Sequence, residues 1–471
     1  MTSGTRARAI LLAAGQGKRM NSSLPKVLHE VLGRTILARV LAALDGLALE
    51  HLHIVVGFGA APVRQFLDAN PPRTPWSVHL QEPQLGTGHA VMQVAPALSS
   101  FQGTLLTTVG DTPLLTTETL RSLLARHRET EATVSLLTTQ VDDSRSYGRI
   151  VRDRQGQVTR IVEDKDATEE ERQIKEINPA IYCLSWPEVK GGLAGLSKDN
   201  RQGEYYLTDL IGWAVNERLP VASSLAPDWR EVSGINSRLE LAEANRLLKE
   251  RVIARLALEC GVTIVDPQST WIAPEVSLGR DSVVYPGCYL VGQVEIGESC
   301  SIGPHTVMYG PVRVGKSSTV TQSLITNSTI GSGCRVGPFA HLRERAELSD
   351  QVRVGNFVEV KASQIGDHTN ASHLSYVGDA TIGAGANIGA GTITANYDHI
   401  AKTKARTIIG DGSSTGSNSV LVAPVVLGKD VVVAAGSVVT RDVPDGALAV
   451  GRARQEIKPG WTQAKRRKLE R

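Results

Sequence analysis

The chain has 471 residues and an almost balanced charge, with 51 Lys and Arg against 48 Asp and Glu and a net charge of +3. This length exceeds one ordinary hydrophobic core and predicts two large domains, while the charge balance argues against nucleic acid or a membrane surface as a partner. The five cysteines are odd in number and form no C-x-x-C pair, which argues against a disulfide framework or a zinc site and favours a reducing cytoplasm.

The first predicted element is a buried strand over residues 9–14, which leads into the glycine-rich turn at residues 15–20. A signal peptide is the alternative for this apolar run, but the run is short, and no segment reaches the ~20 apolar residues of a membrane span. The N–H groups of a glycine turn can surround phosphate oxygens, although such a turn alone is a weak signal. Arg19 and Lys26 strengthen it, because a triphosphate needs cations beside it as its pyrophosphate departs.

Further along, a helix-to-strand passage over residues 47–57 and a strand over residues 105–111 continue the pattern. Alternation of this kind predicts an α/β sheet with ligands at the carboxyl ends of its strands. Asp111 follows one such strand and is a candidate metal ligand, although a lone Asp there is more often a helix cap or a turn former. The polar loop at residues 81–90 could read a base edge through Gln81 and backbone amides.

This half also contains a set of short motifs: Leu12-Ala-Ala-Gly15-x-Gly17-x-Arg19-Met20, Pro25-Lys26, Leu85-Gly-Thr-Gly-His-Ala90, Gly110-Asp111, Tyr147-Gly148-Arg149, Ile161-Val-Glu163, Glu176-Ile-Asn178, Tyr206-Leu-Thr-Asp209 and Gly234-Ile-Asn236. The set resembles the sugar-nucleotide pyrophosphorylases. The resemblance implies in-line attack of a sugar phosphate on the α-phosphorus of UTP, with catalytic Arg19 and Lys26 and with Mg²⁺ on Asp111 and Asn236.

The same resemblance implies the residues that bind the substrates. The sugar would be held by Gly148, Glu163 and Asn178, and uracil would be read by Gln81, Gly86 and Thr87. The remaining substrate-binding positions are Leu12, Ala13, Ala14, Gly15, Lys26 and Asn236.

Residues 237–260 contain neither Gly nor Pro and are rich in Leu, Ala, Glu and Arg. Their apolar residues recur at helical spacing, which predicts a helix. We therefore expect a first domain over residues 1–238, a linker helix over 239–259 and a second domain over 260–471.

The second domain has an aliphatic residue at every sixth position: Ile272, Leu278, Val284, Leu290, Ile296, Ile302, Met308, Val314 and Val320. The rhythm resumes at Leu324 and again at Ile409. A six-residue period predicts short strands that turn a corner every six residues and stack coil on coil. Glycine often follows the aliphatic residue, as at Gly297 and Gly315, and we attribute this to the backbone freedom that a corner needs. The repeat resembles the hexapeptide-repeat acyltransferases, which implies a left-handed parallel β-helix.

The rhythm is lost over residues 394–406, a stretch that is too long for a corner and must loop outward. The frame also slips after Val360, and polar side chains lie around that slip: Arg343, Lys361, His373, Tyr376 and Asn387. Acetyl transfer to an amine needs a base of near-neutral pKa, and histidine is suited to that role. His373 is therefore the candidate base.

Taken together, the two halves are similar, almost end to end, to the bacterial bifunctional N-acetylglucosamine-1-phosphate uridyltransferase/glucosamine-1-phosphate N-acetyltransferases. The resemblance implies that acetyl-CoA acetylates glucosamine 1-phosphate and that UTP then uridylylates N-acetylglucosamine 1-phosphate, in a homotrimer with acetyl sites between chains. His373 would be the base, with Arg343 and Lys361 toward the sugar phosphate and Tyr376 and Asn387 around the sugar. Acetyl-CoA would lie against Ala390, Asn396, Tyr397, Ser417, Ala435 and Arg452.

Three alternatives stay open. The substrate lysine of the loop aligns with Lys402 or Lys404, and we prefer Lys404. A nucleotidyltransferase that uses its β-helix only for oligomerisation or regulation is disfavoured by His373 and its polar neighbours. A scaffold or sensor that binds nucleotide sugars without turnover is disfavoured by the presence of Asp111 and Asn236 together with the two cations.

Overall fold

A computed structural model of the protein describes residues 6–144 and 146–470. The chain divides into two compact units, with the boundary between Leu248 and Lys249. Within the described ranges, no helix combines the length and the apolar character that crossing a membrane requires.

The amino-terminal unit alternates strands with helices. Its strands are β1 (Ala7–Ala13), β2 (Glu30–Val31), β3 (Arg34–Thr35), β4 (His51–Val56), β5 (Trp76–Leu80), β6 (Gly103–Val109), β7 (Val134–Gln140), β8 (Gly148–Arg152), β9 (Val158–Val162), β10 (Glu176–Asn178), β11 (Tyr182–Trp186) and β12 (Val221–Leu225). Its helices are α1 (Ile36–Asp45), α2 (Ala60–Ala69), α3 (Thr87–Met92), α4 (Thr117–Glu129), α5 (Glu169–Arg172), α6 (Lys190–Ala194), α7 (Asp209–Asn216) and α8 (Arg238–Leu258).

Ten of these strands form one mixed sheet in the order β5-β4-β1-β6-β11-β7-β10-β8-β9, with β12 beside β7, and β2 and β3 form a separate two-stranded sheet. The first four strands of this order are parallel, and β11 runs antiparallel between β6 and β7. One apolar layer packs α1, α2 and α4 on the sheet, and the other packs α3, α6 and α7 on it. Because both faces are covered, the central β1 is apolar on both sides apart from Arg8 near its start, as is typical of a buried parallel strand.

Helix α8 covers most of the residues for which the sequence predicts a helix. The boundary between the two units falls inside α8, about ten residues after its start. In the amino-terminal unit, Asn245 of α8 accepts a hydrogen bond from the Leu32 amide at 2.9 Å. In the other unit, Lys249 Nζ donates to the Gln268 carbonyl at 2.8 Å.

The carboxyl-terminal unit is a parallel β-helix with three faces. The first face stacks Thr263–Ile264, Val283–Val284, Ser301–Ile302, Thr319–Val320, Arg335–Val336, Arg353–Asn356, Asn370–His373, Asn387–Ile388, Ser414–Thr415, Val432–Val433 and Leu448–Ala449. The second face stacks Trp271–Ile272, Tyr289–Val291, His341–Arg343, Glu359–Lys361, Tyr376–Gly378, Ile393–Ala395, Val420–Val422 and Val438–Val439. The third face stacks Ser277–Leu278, Val294–Ile296, Glu347–Leu348, Gln364–Ile365, Ala380–Ile382, Thr407–Ile409 and Val425–Leu427, and Val307–Val314 and Leu324–Ile330 each run through both the second and third faces.

The six-residue rhythm corresponds to this geometry, since three strands complete one coil. Val284, Ile302 and Val320 lie in register on successive coils, 18 residues apart, and all three are fully buried. The prediction of an α/β domain followed by a parallel β-helix of hexapeptide repeats is confirmed.

Two details of the predicted repeat are wrong. The inward position on the coil after Val320 belongs to Ile325, which pairs with Met308 and is fully buried, whereas the predicted Leu324 is half-buried. Glycines such as Gly297 and Gly315 do not have a left-handed backbone. Instead, a Cβ at Gly297 would lie 2.7 Å from the backbone N of Lys316 on the next coil. These glycines therefore permit close stacking of coils, and the corner itself turns elsewhere, for example at Ser299 with φ 56°.

The predicted outward loop is a hairpin. Ile388 and Thr415 lie in register on neighbouring coils although they are 27 residues apart, so this coil is longer than its neighbours. The extra residues form two short antiparallel strands, Tyr397–Asp398 and Thr403–Lys404. A final helix, α9 (Trp461–Leu469), is exposed throughout.

Candidate active sites

A cavity of about 480 Å³ lies at the carboxyl ends of β1 and β6 in the amino-terminal unit. The sequence-predicted residues that line it are Leu12, Ala13, Ala14, Gly15, Lys26, Gln81, Gly86, Thr87 and Asp111. The position follows from topology, because the ends of parallel strands leave a crevice where the following turns diverge.

The glycine turn lies at the edge of this cavity. A Cβ at Gly15 would meet no atom within 4 Å, so the backbone there is open to a ligand. Gly17 has φ 61°, and a Cβ on it would lie 2.8 Å from the Cβ of Lys26. Gly17 therefore lets the turn close against Lys26, whose side chain is largely buried.

The ammonium group of Lys26 contacts two oxygens at the mouth of β6. It forms an ion pair with the Asp111 carboxylate and donates to Asn236 Oδ1 at 3.1 Å. Asn236 is held by the loop before it, since the Ile235 amide donates to the Asp111 carbonyl at 2.9 Å. One carboxylate oxygen and one amide oxygen thus converge on a single positive charge.

Gln81 is buried at the other side of the cavity. Its Nε2 donates to the Gly86 carbonyl at 2.8 Å, which fixes the side chain against the turn before α3. Gly86 has φ 102°, and a Cβ on it would lie 2.6 Å from the Tyr205 carbonyl oxygen. A side chain at this position would therefore push the turn away from its neighbour.

The predicted sugar residues form a second group on the antiparallel part of the sheet. Glu163 Oε1 accepts a hydrogen bond from Thr208 Oγ1 at 3.2 Å, and burial raises the pKa of Glu163. A Cβ on Gly148 would lie 3.6 Å from the Glu163 carboxyl, so glycine keeps this space open. Asn178 Nδ2 donates to the Tyr182 hydroxyl at 2.6 Å.

Tyr147 connects the two groups. Its hydroxyl accepts a hydrogen bond from the Gly234 amide at 2.9 Å, two residues before Asn236.

Arg19, by contrast, is exposed and does not line the cavity, whereas Lys18 does. Sequence reasoning missed Gln84 and Glu204 as lining residues. Gln84 lies within the polar loop singled out by its composition, so that loop was the available signal.

In the β-helix, His373 lies at the corner between the first and second faces, which we call the histidine corner. His373 Nδ1 lies 2.8 Å from Oδ1 of Asn356, its partner on the preceding coil. Sequence reasoning missed Asn356, although its spacing of one coil from His373 was a usable signal. The corner continues upward through Ala390, Ser417, Ala435 and Arg452.

The second face ends at another corner, which we call the cation corner. Arg343 and Lys361 are in register there, and the next residue of this ladder is Gly378. A Cβ on Gly378 would clash with the Tyr376 hydroxyl, which shows that this hydroxyl lies directly over the glycine. The hairpin brings Lys404 to Lys361, and this neighbouring ammonium group lowers the pKa of Lys404. Lys402 lies instead at the exposed tip of the hairpin.

One chain does not bring all the predicted acetyl-site residues together. Asn387 pairs with Asn370 and Ser414 on the first face, whereas Tyr376 lies on the second. Asn396 and Tyr397 belong to the hairpin side, where Asn396 donates to the Asp379 carboxylate. The residues predicted for acetyl-CoA are thus divided between two corners.

Known proteins match both units. Residues 9–195 match the MobA-like NTP transferase domain, and residues 406–441 match the bacterial transferase hexapeptide with six repeats. The bifunctional protein GlmU of Synechococcus elongatus is 47% identical over 452 residues, which cover 96% of this chain and 98% of that protein. The bifunctional protein GlmU of Geobacillus thermodenitrificans is 46% identical over 460 residues, 98% of each. That of Exiguobacterium is 46% identical over 455 residues, 97% of this chain and 99% of the relative.

The strand-end cavity on an NTP-transferase sheet and the histidine on a hexapeptide β-helix define a two-domain transferase. The chain belongs to the family of bifunctional GlmU proteins. Membership confirms the predicted pair of activities, a uridyltransferase and a glucosamine-1-phosphate acetyltransferase in one chain. It also disfavours the alternative with a single activity.

Proposed function

We propose that the chain makes UDP-N-acetylglucosamine in two steps at two separate sites. In the β-helix, the amine of glucosamine 1-phosphate attacks the thioester of acetyl-CoA, an amide bond forms as the C–S bond breaks, and CoA leaves as its thiol. In the α/β unit, the phosphate of N-acetylglucosamine 1-phosphate attacks the α-phosphorus of UTP, and pyrophosphate leaves. The observation that carries this proposal is the separation of chemical groups. The cavity groups lie between Leu12 and Asn236, and the histidine with its cations lies between Arg343 and Lys404.

In the uridyltransferase site, the backbone from Leu12 to Gly15 would surround the phosphates of UTP, and Gln81 with the Gly86 turn would face uracil. Lys26 is positioned to neutralise charge on the phosphate oxygens, while Arg19 would have to reach them from its exposed turn. Glu163 and Asn178 would hold the sugar, beside the space that Gly148 keeps open.

Asp111 and Asn236 are the proposed ligands of Mg²⁺. In the described ranges no group of three His, Cys, Asp or Glu side chains could hold a metal. Two oxygens converging on one charge nevertheless suit Mg²⁺, which proteins usually bind through one or two carboxylates and substrate phosphates. When bound, the ion would neutralise charge on the reacting phosphates. Lys26 would then turn from Asp111 toward the phosphate oxygens.

In the acetyltransferase site, His373 is the proposed general base. With Asn356 Oδ1 as the acceptor, Nδ1 carries the proton and Nε2 keeps its lone pair. Nε2 can then take the proton of the attacking amine. Arg343 and Lys361 lie one face away, and the sugar would span this face beside Tyr376 with its phosphate at the cation corner.

Acetyl-CoA is the proposed co-substrate, and the histidine corner offers it a straight path. From His373 to Arg452 the ladder rises four coils, or roughly 19 Å at about 4.8 Å for each coil. A long, thin molecule could lie along this ladder, whose positions are exposed except for the half-buried Ala390, and present its thioester beside His373. Arg452 would meet its charged end.

We further propose a homotrimer with shared acetyl sites. Asn387 lies on the first face and Tyr376 on the second, so a site built around the second face of one chain leaves Asn387 on another face. A neighbouring chain could supply Asn387 and exclude water from the exposed second face. The five free cysteines are compatible with a reducing cytoplasm as the place of work.

A metal-removal experiment tests the separation of sites. Chelation by EDTA should abolish release of pyrophosphate from UTP and leave acetylation of glucosamine 1-phosphate unchanged, and added Mg²⁺ should restore the first activity. Equal loss of both activities would contradict separate sites, and uridyl transfer without a divalent ion would contradict the metal site.

A mixing experiment tests the shared site. Chains with His373→Ala and chains with Asn387→Ala should each be poor acetyltransferases, whereas co-assembled mixtures should recover activity. Because partners assort at random, about one quarter of the interfaces would carry both native residues. Co-assembly without recovery, or an active monomer by light scattering, would refute the shared site.

A further inference from the structure

The cation corner contains a carboxylate with no role in the chemistry described above. Glu344 directly follows Arg343, and its Oε1 forms an ion pair with the Arg343 guanidinium. Its Oε2 lies 3.4 Å from Lys361 Nζ. The carboxylate therefore bridges the two cations proposed to hold the phosphate of glucosamine 1-phosphate.

A third cation completes the set. Lys404 lies beside Lys361, and its charge also acts on Glu344. Burial opposes ionisation of Glu344, but Lys361, Arg343 and Lys404 together lower its pKa. Glu344 is therefore a carboxylate anion surrounded by three positive side chains.

Glu359 has a different position in this cluster. It accepts from Arg343 Nε at 2.7 Å and pairs with Nη2 at 2.6 Å, so it orients the guanidinium from within the second face. Glu344 lies at the corner, where its φ is 51°, and about half of its side chain is exposed. Of these two acids, Glu344 has the more exposed side chain, 51% against 34%, and is therefore the more accessible to an approaching ligand.

We propose that Glu344 occupies the phosphate subsite of the acetyltransferase as an internal competitor, which the phosphate of glucosamine 1-phosphate must displace. The inference rests on the proposed function, which assigns Arg343 and Lys361 to this phosphate. A phosphate monoester carries between one and a half and two negative charges at neutral pH and has three acceptor oxygens, so it satisfies the cations better than one carboxylate. The carboxylate would swing outward, since its exposed side faces solvent.

Such a competitor has two consequences. It weakens the binding of substrate and product alike, because both carry the phosphate. It also discriminates against singly charged anions, because a ligand must offer more than the carboxylate it replaces. Glu344 would be a specificity-determining residue that does not touch the reacting atoms.

The test compares Glu344→Gln with Glu347→Gln in the full-length protein. Glu347 lies on the same coil, and its carboxylate accepts from Gln364 at 3.1 Å. Both changes remove one negative charge, but only the first removes it from the cations. Initial rates of acetyl transfer would be measured against glucosamine 1-phosphate at saturating acetyl-CoA, with inorganic phosphate as a competitive inhibitor.

We expect Glu344→Gln to lower the KM for glucosamine 1-phosphate by roughly 3- to 30-fold, and to lower the inhibition constant of inorganic phosphate similarly. The kcat should not rise, and Glu347→Gln should match the parent. An unchanged or raised KM in Glu344→Gln would overturn the inference and show that the carboxylate only positions the cations. Uridyl transfer by the same preparation verifies folding of the chain.

Lys361→Met separates failure of this inference from failure of the proposed function. If Lys361 binds the sugar phosphate, Lys361→Met raises the KM whatever Glu344 does. A raised KM in Lys361→Met with an unchanged KM in Glu344→Gln would refute the role of Glu344 as a competitor. It would leave Lys361 as part of the phosphate site. No change in KM for Lys361→Met would overturn both.

Discussion

The two units build their sites in opposite ways. In the α/β unit, residues far apart in the chain meet at the end of a sheet: Lys26 and Asp111 line a cavity of about 480 Å³, and Asn236 contacts Lys26. In the β-helix, the histidine corner stacks the same position of successive coils, as Asn356 and His373 do. A sheet therefore concentrates groups around a point, whereas a β-helix distributes them along an exposed line.

This difference explains why the candidate groups of the α/β unit line a cavity, whereas His373 lies exposed at a corner of the β-helix. Most interior positions of the β-helix are occupied by aliphatic side chains, with buried Ser and Thr among them, and the candidate groups His373 and Arg343 lie at its corners. A surface line gains walls only from a loop such as the hairpin at residues 397–404 or from another chain. If the two sites are as independent as the two architectures, a change in one unit should leave the activity of the other unchanged.

The largest expected effect is on Asp111. Asp111→Ala removes the carboxylate that faces Lys26 and the proposed metal, and it should lower uridyl transfer by roughly 10³-fold or more, because a bound ion contributes several kcal/mol to the transition state. Acetyl transfer should stay within twofold. The matched control is Asp68→Ala, an exposed acid on α2 that should alter neither rate. Equal losses of uridyl transfer and acetyl transfer would contradict the independence of the two sites.

The reciprocal change is His373→Ala. Loss of a general base should lower acetyl transfer by roughly 10²- to 10⁴-fold and leave uridyl transfer unchanged. His368→Ala, on an exposed corner of the same coil, serves as the control. An acetylation rate within a few-fold of the parent would remove His373 from this role.

Acid should distinguish the cores of the two units. In the described part of the chain the buried histidines are His29, His53 and His127, and all three lie in the α/β unit. Burial lowers the pKa of His53 to about 3 and that of His127 to about 4. Both side chains stay neutral in the folded protein. In the unfolded chain, however, they bind a proton as the pH falls below 6.5. The stability they contribute is therefore full above pH 6.5 and is lost as pH falls toward 4.

From pH 7 to pH 5 this linkage should reduce the free energy of unfolding of the α/β unit by about 2 kcal/mol for each of these two histidines. Urea unfolding followed by tryptophan fluorescence would measure the loss. His127→Gln can still hydrogen-bond to Ser135 but cannot titrate, so it should lose less stability over this range. An identical pH dependence in the variant would contradict the assignment.

The smallest expected effect concerns Asn356. Asn356→Ala removes the acceptor that fixes the His373 tautomer and should lower acetyl transfer roughly tenfold, in keeping with one lost hydrogen bond. Asn356→Asp, which keeps the acceptor and adds charge, should shift the acid limb of the pH profile upward and thereby reveal a positioning role. An unchanged pH profile in both variants would contradict the positioning role of Asn356. The residues of the histidine corner would then act independently of one another.

The amino-acid sequence alone determined the repeat, because every sixth residue from Ile272 to Val320 must enter the same narrow interior. It likewise determined the first strand and glycine turn, since Gly17 has a local conformational reason to be glycine. The resemblance of its motifs predicted the cavity residues as a set. These features depend on neighbours in the chain or on a strict period.

Only the tertiary structure decided features that depend on stacking and on long-range approach. Ile325 replaces Leu324 inside because the preceding coil sets the register, and Gly297 is glycine because the next coil passes close above it. The hairpin register places Lys404 rather than Lys402 beside Lys361. Glu344 reaches the cations because its corner turns the chain back over them. No local pattern encodes these contacts, since each depends on the position of a coil or loop that the residue itself does not specify.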